Sequence, residues 1–98
     1  MAAQDGFTDC AKAEMADERA ICGNTRLIQQ DARMVTLYEV ATSLAGMGTR
    51  GDLKDEQAKW LDKRHGCKTD IGCLAETYGR RIDQLKKIID AVASRGPF

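Results

Sequence analysis

Toward the end of the chain, Leu74, Tyr78, Ile82, Leu85, Ile89 and Val92 recur at intervals of four, four, three, four and three. A strand cannot use that spacing, because its side chains alternate faces with a period of two. A helix gathers all six onto one stripe, a seam of heptad type. Asp70 stands where an N-cap is needed, and Arg95-Gly96-Pro97 supplies the stop. The spacing therefore predicts a helix over residues 71–94, roughly 36 Å long at ~1.5 Å per residue. A seam this long either packs wholly inside one molecule, the favoured expectation, or carries its end into a dimer.

The rest of the chain reads the same way. Residues 15–22 suit a short helix that Gly23 and Asn24 end. A second helix is expected from Thr25, as N-cap, to Ala45, with Leu27, Ile28, Met34, Val35, Tyr38, Ala41 and Ala45 at helical spacing. Three glycines fall within Gly46–Gly51, which predicts a loop and the clearest break in the chain. A third helix is expected from Asp52, with Asp55 and Glu56 in its first turn and Leu53, Gln57, Trp60, Leu61 and Arg64 on one stripe. Trp60 reads as a core anchor. His65, before Gly66, reads as a charge closing that helix. The single proline is Pro97, so nothing breaks a helix in the body of the chain. No segment alternates with period two. The expected fold class is all-α: a small antiparallel helical bundle of one short and three longer helices. Residues 1–9 are expected to form a flexible arm and residues 10–95 a single helical domain.

Four cysteines in 98 residues suggest two disulfides, which allow three connectivities. Cys10 and Cys22 would stand about 18 Å apart on a continuous helix, and Cys67 and Cys73 about 9 Å apart. A bridge needs Cα atoms within about 7 Å. The chain must therefore reverse between Cys10 and Cys22, and Cys67 must lie in a loop after Gly66 that folds onto the last helix. Local pairing, Cys10 with Cys22 and Cys67 with Cys73, is the favoured arrangement. Cross-pairing of the N-terminal region to residues 67–73 stays open at this point, as do four free thiols. Zinc is not expected, because the gaps of eleven and five residues exceed the usual two to four, even with His65 nearby. There is no Cys-x-x-Cys redox motif.

Lysine plus arginine equals aspartate plus glutamate, 15 against 15. Such a balance leaves no electrostatic footprint for nucleic acid or an anionic membrane. Residues 1–23 are nevertheless acidic, with five carboxylates against two bases, and residues 50–98 are basic, with eleven bases against eight acids. No apolar run is long enough to span a membrane. The opening Met1-Ala2-Ala3-Gln4-Asp5 has no basic and apolar leader regions and reads like the mature end left after signal cleavage. No nucleophile elbow, phosphate loop or dinucleotide fingerprint is present, and the carboxylates fall on solvated helix faces beside lysines. No catalytic residue, metal or cofactor is expected, and the chain reads as a binding domain rather than an enzyme.

The order of residues also resembles a known family. Phe7-Thr8-Asp9-Cys10-Ala11-Lys12-Ala13, Glu18-Arg19-Ala20-Ile21-Cys22, Leu27, Asp31 and Tyr38 form one half of the pattern. Leu53, Gln57, Trp60-Leu61, Arg64, Cys67, Asp70, Cys73-Leu74, Tyr78 and Arg81-Ile82 form the other. Together they resemble the LprI N-terminal-like family of secreted bacterial domains. That resemblance implies a helical periplasmic or secreted domain with two disulfides and a protein partner, its namesake being described as a lysozyme inhibitor. Lipid anchoring, known in the family, finds no lipobox cysteine at the start of this chain. The alternative is a structural or adaptor module of the cell envelope with another protein partner. An inhibitor must plug a cleft with a rigid protrusion. The expected protrusions are the glycine-rich loop and the turn between Cys67 and Cys73, and both also read as plain connectors. They give Met47, Thr49, Arg50, Lys68 and Thr69 as candidate partner-binding residues.

Overall fold

The computed structural model describes residues 8–94. A 3-10 turn at Cys10–Lys12 leads into α1 (Ala16–Cys22), α2 (Thr25–Leu44), α3 (Met47–Cys67) and α4 (Ile71–Ser94). Among the described residues there is no strand. The all-α expectation holds, and α4 has the bounds its seam predicted. Leu74, Tyr78 and Leu85 are wholly inaccessible, Ile82 is buried, and Ile89 is half-buried against them.

The helix ends follow local chemistry. Before α1, Glu18 Oε1 accepts from the backbone N–H groups of Glu14 and Met15 at 3.2 and 3.1 Å. Asn24 closes α1 by donating its N–H to Ile21 O, and it opens α2 by accepting from Leu27 N at 3.1 Å. The cap of α2 is thus Asn24, and Thr25, expected in that role, is the first helical residue. Asp70 does cap α4, its Oδ1 accepting from Cys73 N at 3.0 Å.

The glycine-rich loop expected over Gly46–Gly51 does not form. Only Ala45 and Gly46 separate α2 from α3, and the third helix starts at Met47 rather than Asp52. Two interior glycines each disfavour a helix by about 1 kcal/mol relative to alanine, so something must offset them. Arg50 does so in part. Its N–H closes the first turn onto Gly46 O at 2.8 Å, while its side chain donates to Thr42 O and Ala45 O at the end of α2. Those carbonyls would otherwise lack partners at a helix C-terminus. Leu53, one turn further on, is buried.

From α2 onward, sequential helices reverse direction. Met34 of α2 meets Gln57 of α3, and Thr42 meets Arg50, so numbers fall on one helix as they rise on the other. The same holds for α3 and α4, where Gln57 meets Arg81 and Cys67 meets Cys73. Consequently α2 and α4 run parallel, Leu27 lying near Ala75 and Asp31 near Tyr78. This parallel pair makes the most extensive helix packing in the molecule. Trp60 is a core anchor as expected, 5.3 Å from Tyr78 in an edge-on arrangement, with Nε1 donating to Thr77 O at 3.0 Å.

Both bridges are local. Cys10–Cys22 joins Cα atoms 5.6 Å apart and Cys67–Cys73 joins Cα atoms 5.5 Å apart, with no free cysteine. Cys67 is the last residue of α3 and not part of a loop after Gly66. Most of the expected N-terminal arm, and residue 95 of the expected domain, lie outside the described residues. Thr8, within that arm, is buried and fastened to Asp31, its N–H donating to Oδ2 at 3.1 Å. Replacing both cysteines of either bridge by serine is expected to lower unfolding free energy by about 2–3 kcal/mol. Urea denaturation of oxidised wild type and each double variant measures it, and unchanged midpoints would contradict it.

Candidate functional site

Arg64 lies on the buried stripe of α3 and is 2% exposed. Its Nε donates to Asp17 Oδ2 of α1 at 2.8 Å, and its Nη1 donates to Thr8 Oγ1 at 3.0 Å. Asp31 Oδ1 of α2 stands 4.0 Å from that Nη1 and accepts from the Tyr78 hydroxyl of α4 at 2.7 Å. Trp60 presents its ring 5.9 Å from the guanidinium. His65, expected as a helix-end charge, turns inward instead: its Nδ1 lies 2.8 Å from Asp17 Oδ2. An ionised carboxylate can only accept, so the proton of that bond sits on Nδ1.

Burial works to raise the Asp17 pKa, but hydrogen bonding and charge from Arg64, then from His65, prevail and hold it below the ordinary carboxylate value. Burial also opposes the charge on Arg64, and the polar Tyr78 oxygen together with the Asp17 carboxylate more than offsets it. Burial pushes the Tyr78 phenol well above its ordinary pKa, and the Asp31 charge adds to the rise, so it stays a neutral donor. Asp17, Asp31 and Arg64 are each at most 3% exposed. A cluster so enclosed offers no access to a substrate; what it does is fix the positions of Thr8 and four helices.

Just beyond it, α3 turns into α4 through Lys68, Thr69 and Asp70, all exposed. Asp70 N donates to Cys67 O at 3.0 Å, closing a four-residue reversal. Lys68 has φ 53° and ψ −119° and is the non-glycine residue with positive φ among those described. Those angles match the first central position of a type II′ turn, a place where glycine is usual. A side chain there costs on the order of 1–3 kcal/mol and persists only where the surroundings enforce it. Here the Cys67–Cys73 bridge spans the turn, Asp70 caps α4, and Cys67 Sγ lies 3.4 Å from Thr77 Oγ1.

The candidate residues do not form one patch. Lys68 and Thr69 follow the C-terminus of α3, while Met47, Thr49 and Arg50 occupy its first turn. About 30 Å separates the two ends of a helix of that length. Met47 is 87% exposed, whereas the guanidinium of Arg50 is spent on α2 carbonyls. Sequence reasoning did not single out Asp17, nor the meeting of Asp31, Arg64 and Tyr78. A signal was present: Asp31 follows Leu27 by four and Arg64 follows Trp60 by four, so opposite charges sit on two apolar stripes. Among the described residues, no group of histidine, cysteine, aspartate or glutamate could hold a metal ion, and no helix is long and apolar enough to cross a membrane.

In comparisons with known proteins, no family model, no curated protein and no solved structure matches the chain. What the fold and site define is a class of architecture, an all-α bundle whose two local disulfides flank an enclosed arginine–aspartate cluster.

Two outcomes follow from the cluster. Arg64→Ala strands two buried carboxylates and is expected to destabilise by about 3–5 kcal/mol, read from urea denaturation. Because the folded pKa of Asp17 is depressed, its stabilising effect is present above its unfolded value of ~3.9 and is lost as pH falls through the folded value. Asp17→Asn should therefore flatten the acid limb of a stability–pH profile, and a limb unchanged in that variant would refute the assignment.

Proposed function

We propose that this protein is an extracytoplasmic protein-binding domain that presents the Lys68–Thr69 turn to its partner, and that the partner is a muramidase of the lysozyme type. The observation that carries the reading is Lys68 itself, a charged residue held in a glycine conformation on an exposed, disulfide-closed turn. Strain of this kind concentrates where a side chain must be presented in one orientation. Two disulfides and no free cysteine agree with an oxidising compartment. The resemblance to the LprI N-terminal-like family supplies the muramidase. Such enzymes cleave with two carboxylates in a cleft, and an ammonium on a rigid convex turn has the charge and shape to enter one. The rigidity lowers the ordering cost of association.

A second reading, an adaptor of the cell envelope, is favoured by Met47. Its 87% exposure at the opposite end of α3 gives an apolar anchor that cleft plugging does not use.

One variant separates fold from function at the turn. Lys68→Gly relieves the backbone and is expected to raise stability by roughly 1 kcal/mol, after the added chain entropy of glycine is counted. The same change should weaken inhibition of cell-wall lysis by roughly tenfold or more, as loss of one partner of a buried charge pair does. Wild-type protein that leaves several lysozymes unslowed at micromolar concentration would remove the muramidase. A Lys68→Gly protein that is less stable would remove the strain.

A further inference from the structure

On another face, α3 and α4 enclose a groove of about 580 Å³. Five basic side chains line it, Lys59, Lys63, Arg80, Arg81 and Lys87, against two carboxylates, Glu56 and Glu76. The sign is therefore strongly positive on a chain whose total charge is zero. Arg81 is 2% exposed. Its Nε donates to Gln57 Oε1 at 2.8 Å and its Nη1 to Gln84 Oε1 at 3.3 Å, but its Nη2 is buried and donates to nothing. Glu56 does not fill that role: it stands 4.0 Å from Nη1 and remains 58% exposed. Glu76 is already paired with Arg80 at 3.4 Å. A buried guanidinium donor without an acceptor is unfavourable, and the charge of Arg81 beneath the groove adds to a field that favours an acidic ligand.

We propose that this groove binds an extended acidic segment of a partner protein, whose carboxylates meet Lys59, Lys63 and Lys87 above the buried charge of Arg81. The lining residues on α4 run from Glu76 to Ile88. That is about 18 Å of helix, room for five or six residues of extended chain at ~3.3 Å each. Lys63, Lys59 and Lys87 are distributed along it and can each meet an acidic group. Glu56 and Glu76 oppose a uniform polyanion such as nucleic acid but tolerate a peptide of mixed charge. Lys68 does not line this groove, so the site stands apart from the turn and survives if the muramidase reading fails.

Trp60, the single tryptophan, lines the groove and reports on it by fluorescence. The probe is a blocked hexapeptide with one central glutamate, compared with its glutamine counterpart at low ionic strength. Saturable change in Trp60 emission is expected with the glutamate peptide, and binding about fivefold weaker with the glutamine peptide. Glu56→Gln should tighten binding about threefold, the double variant Lys59→Glu, Lys87→Glu should weaken it about fivefold, and Lys68→Gly should leave it unchanged. Both groove variants change exposed side chains, so the fold is retained. Equal affinity for the two peptides, or indifference to the double reversal, overturns the proposal. So does weakening by Lys68→Gly, which would move the ligand to the turn. Tighter binding of a short oligonucleotide than of the peptide would overturn the choice of ligand.

Discussion

One buried guanidinium organises this molecule. Arg64 of α3 reaches Asp17 of α1 and Thr8 of the arm, faces Asp31 of α2, and through Asp31 is joined to Tyr78 of α4. No other group described here engages every segment. A buried ion pair is weak evidence of net stability, because removing charges from water opposes folding. Its effect lies in arrangement. With the donors of the cluster supplied and its carboxylates neutralised, any other packing of α1 or of Thr8 would leave an enclosed charge alone, which the low dielectric of the interior penalises heavily. Apolar contacts among Ile21, Leu27, Met34, Leu74 and Leu85 supply collapse without direction; Arg64 supplies direction.

How much of this was legible in the sequence differs from element to element. The seam Leu74–Val92 predicted α4 with its bounds and its Asp70 cap, because periodicity and capping agree there. Local bridging is the favoured arrangement at the level of sequence, where spacing limits say only which reversals it requires, and that pairing is the one found. The start of α3 was misread because glycine content was given the meaning of a loop. A tertiary contact from Arg50 to the end of α2, invisible to local propensity, decides that segment. His65 was misread for a similar reason: its partner, Asp17, lies 48 residues away in sequence. Lys68 is a candidate from its place in the turn between Cys67 and Cys73, but its positive φ is not legible, since nothing in a lysine's identity announces that conformation.

Why the resemblance speaks to fold more than to activity is also clear in physical terms. Thr8, Asp31, Tyr38, Gln57, Trp60, Arg64, Tyr78 and Arg81, which carry much of it, are all buried. They are the interior polar and aromatic residues that specify the bundle. The surfaces available to a partner, the turn at Lys68 and the basic groove, are built largely from exposed side chains outside that pattern. Trp60 and Arg81 belong to both sets, Arg81 with two guanidinium nitrogens engaged by glutamine side chains and the third facing no protein acceptor.

The bridges have a consequence for how the chain becomes oxidised. Each joins cysteines only 12 or 6 residues apart, whereas every cross-linked isomer would have to close a far longer segment. Ring-closure entropy alone then favours each native bridge by about 1–2 kcal/mol in a chain with no structure at all. Correct sulfur partnering can thus precede the collapse of the bundle. A polypeptide entering an oxidant-rich compartment in extended form is thereby biased away from scrambled isomers before Arg64 has met either aspartate.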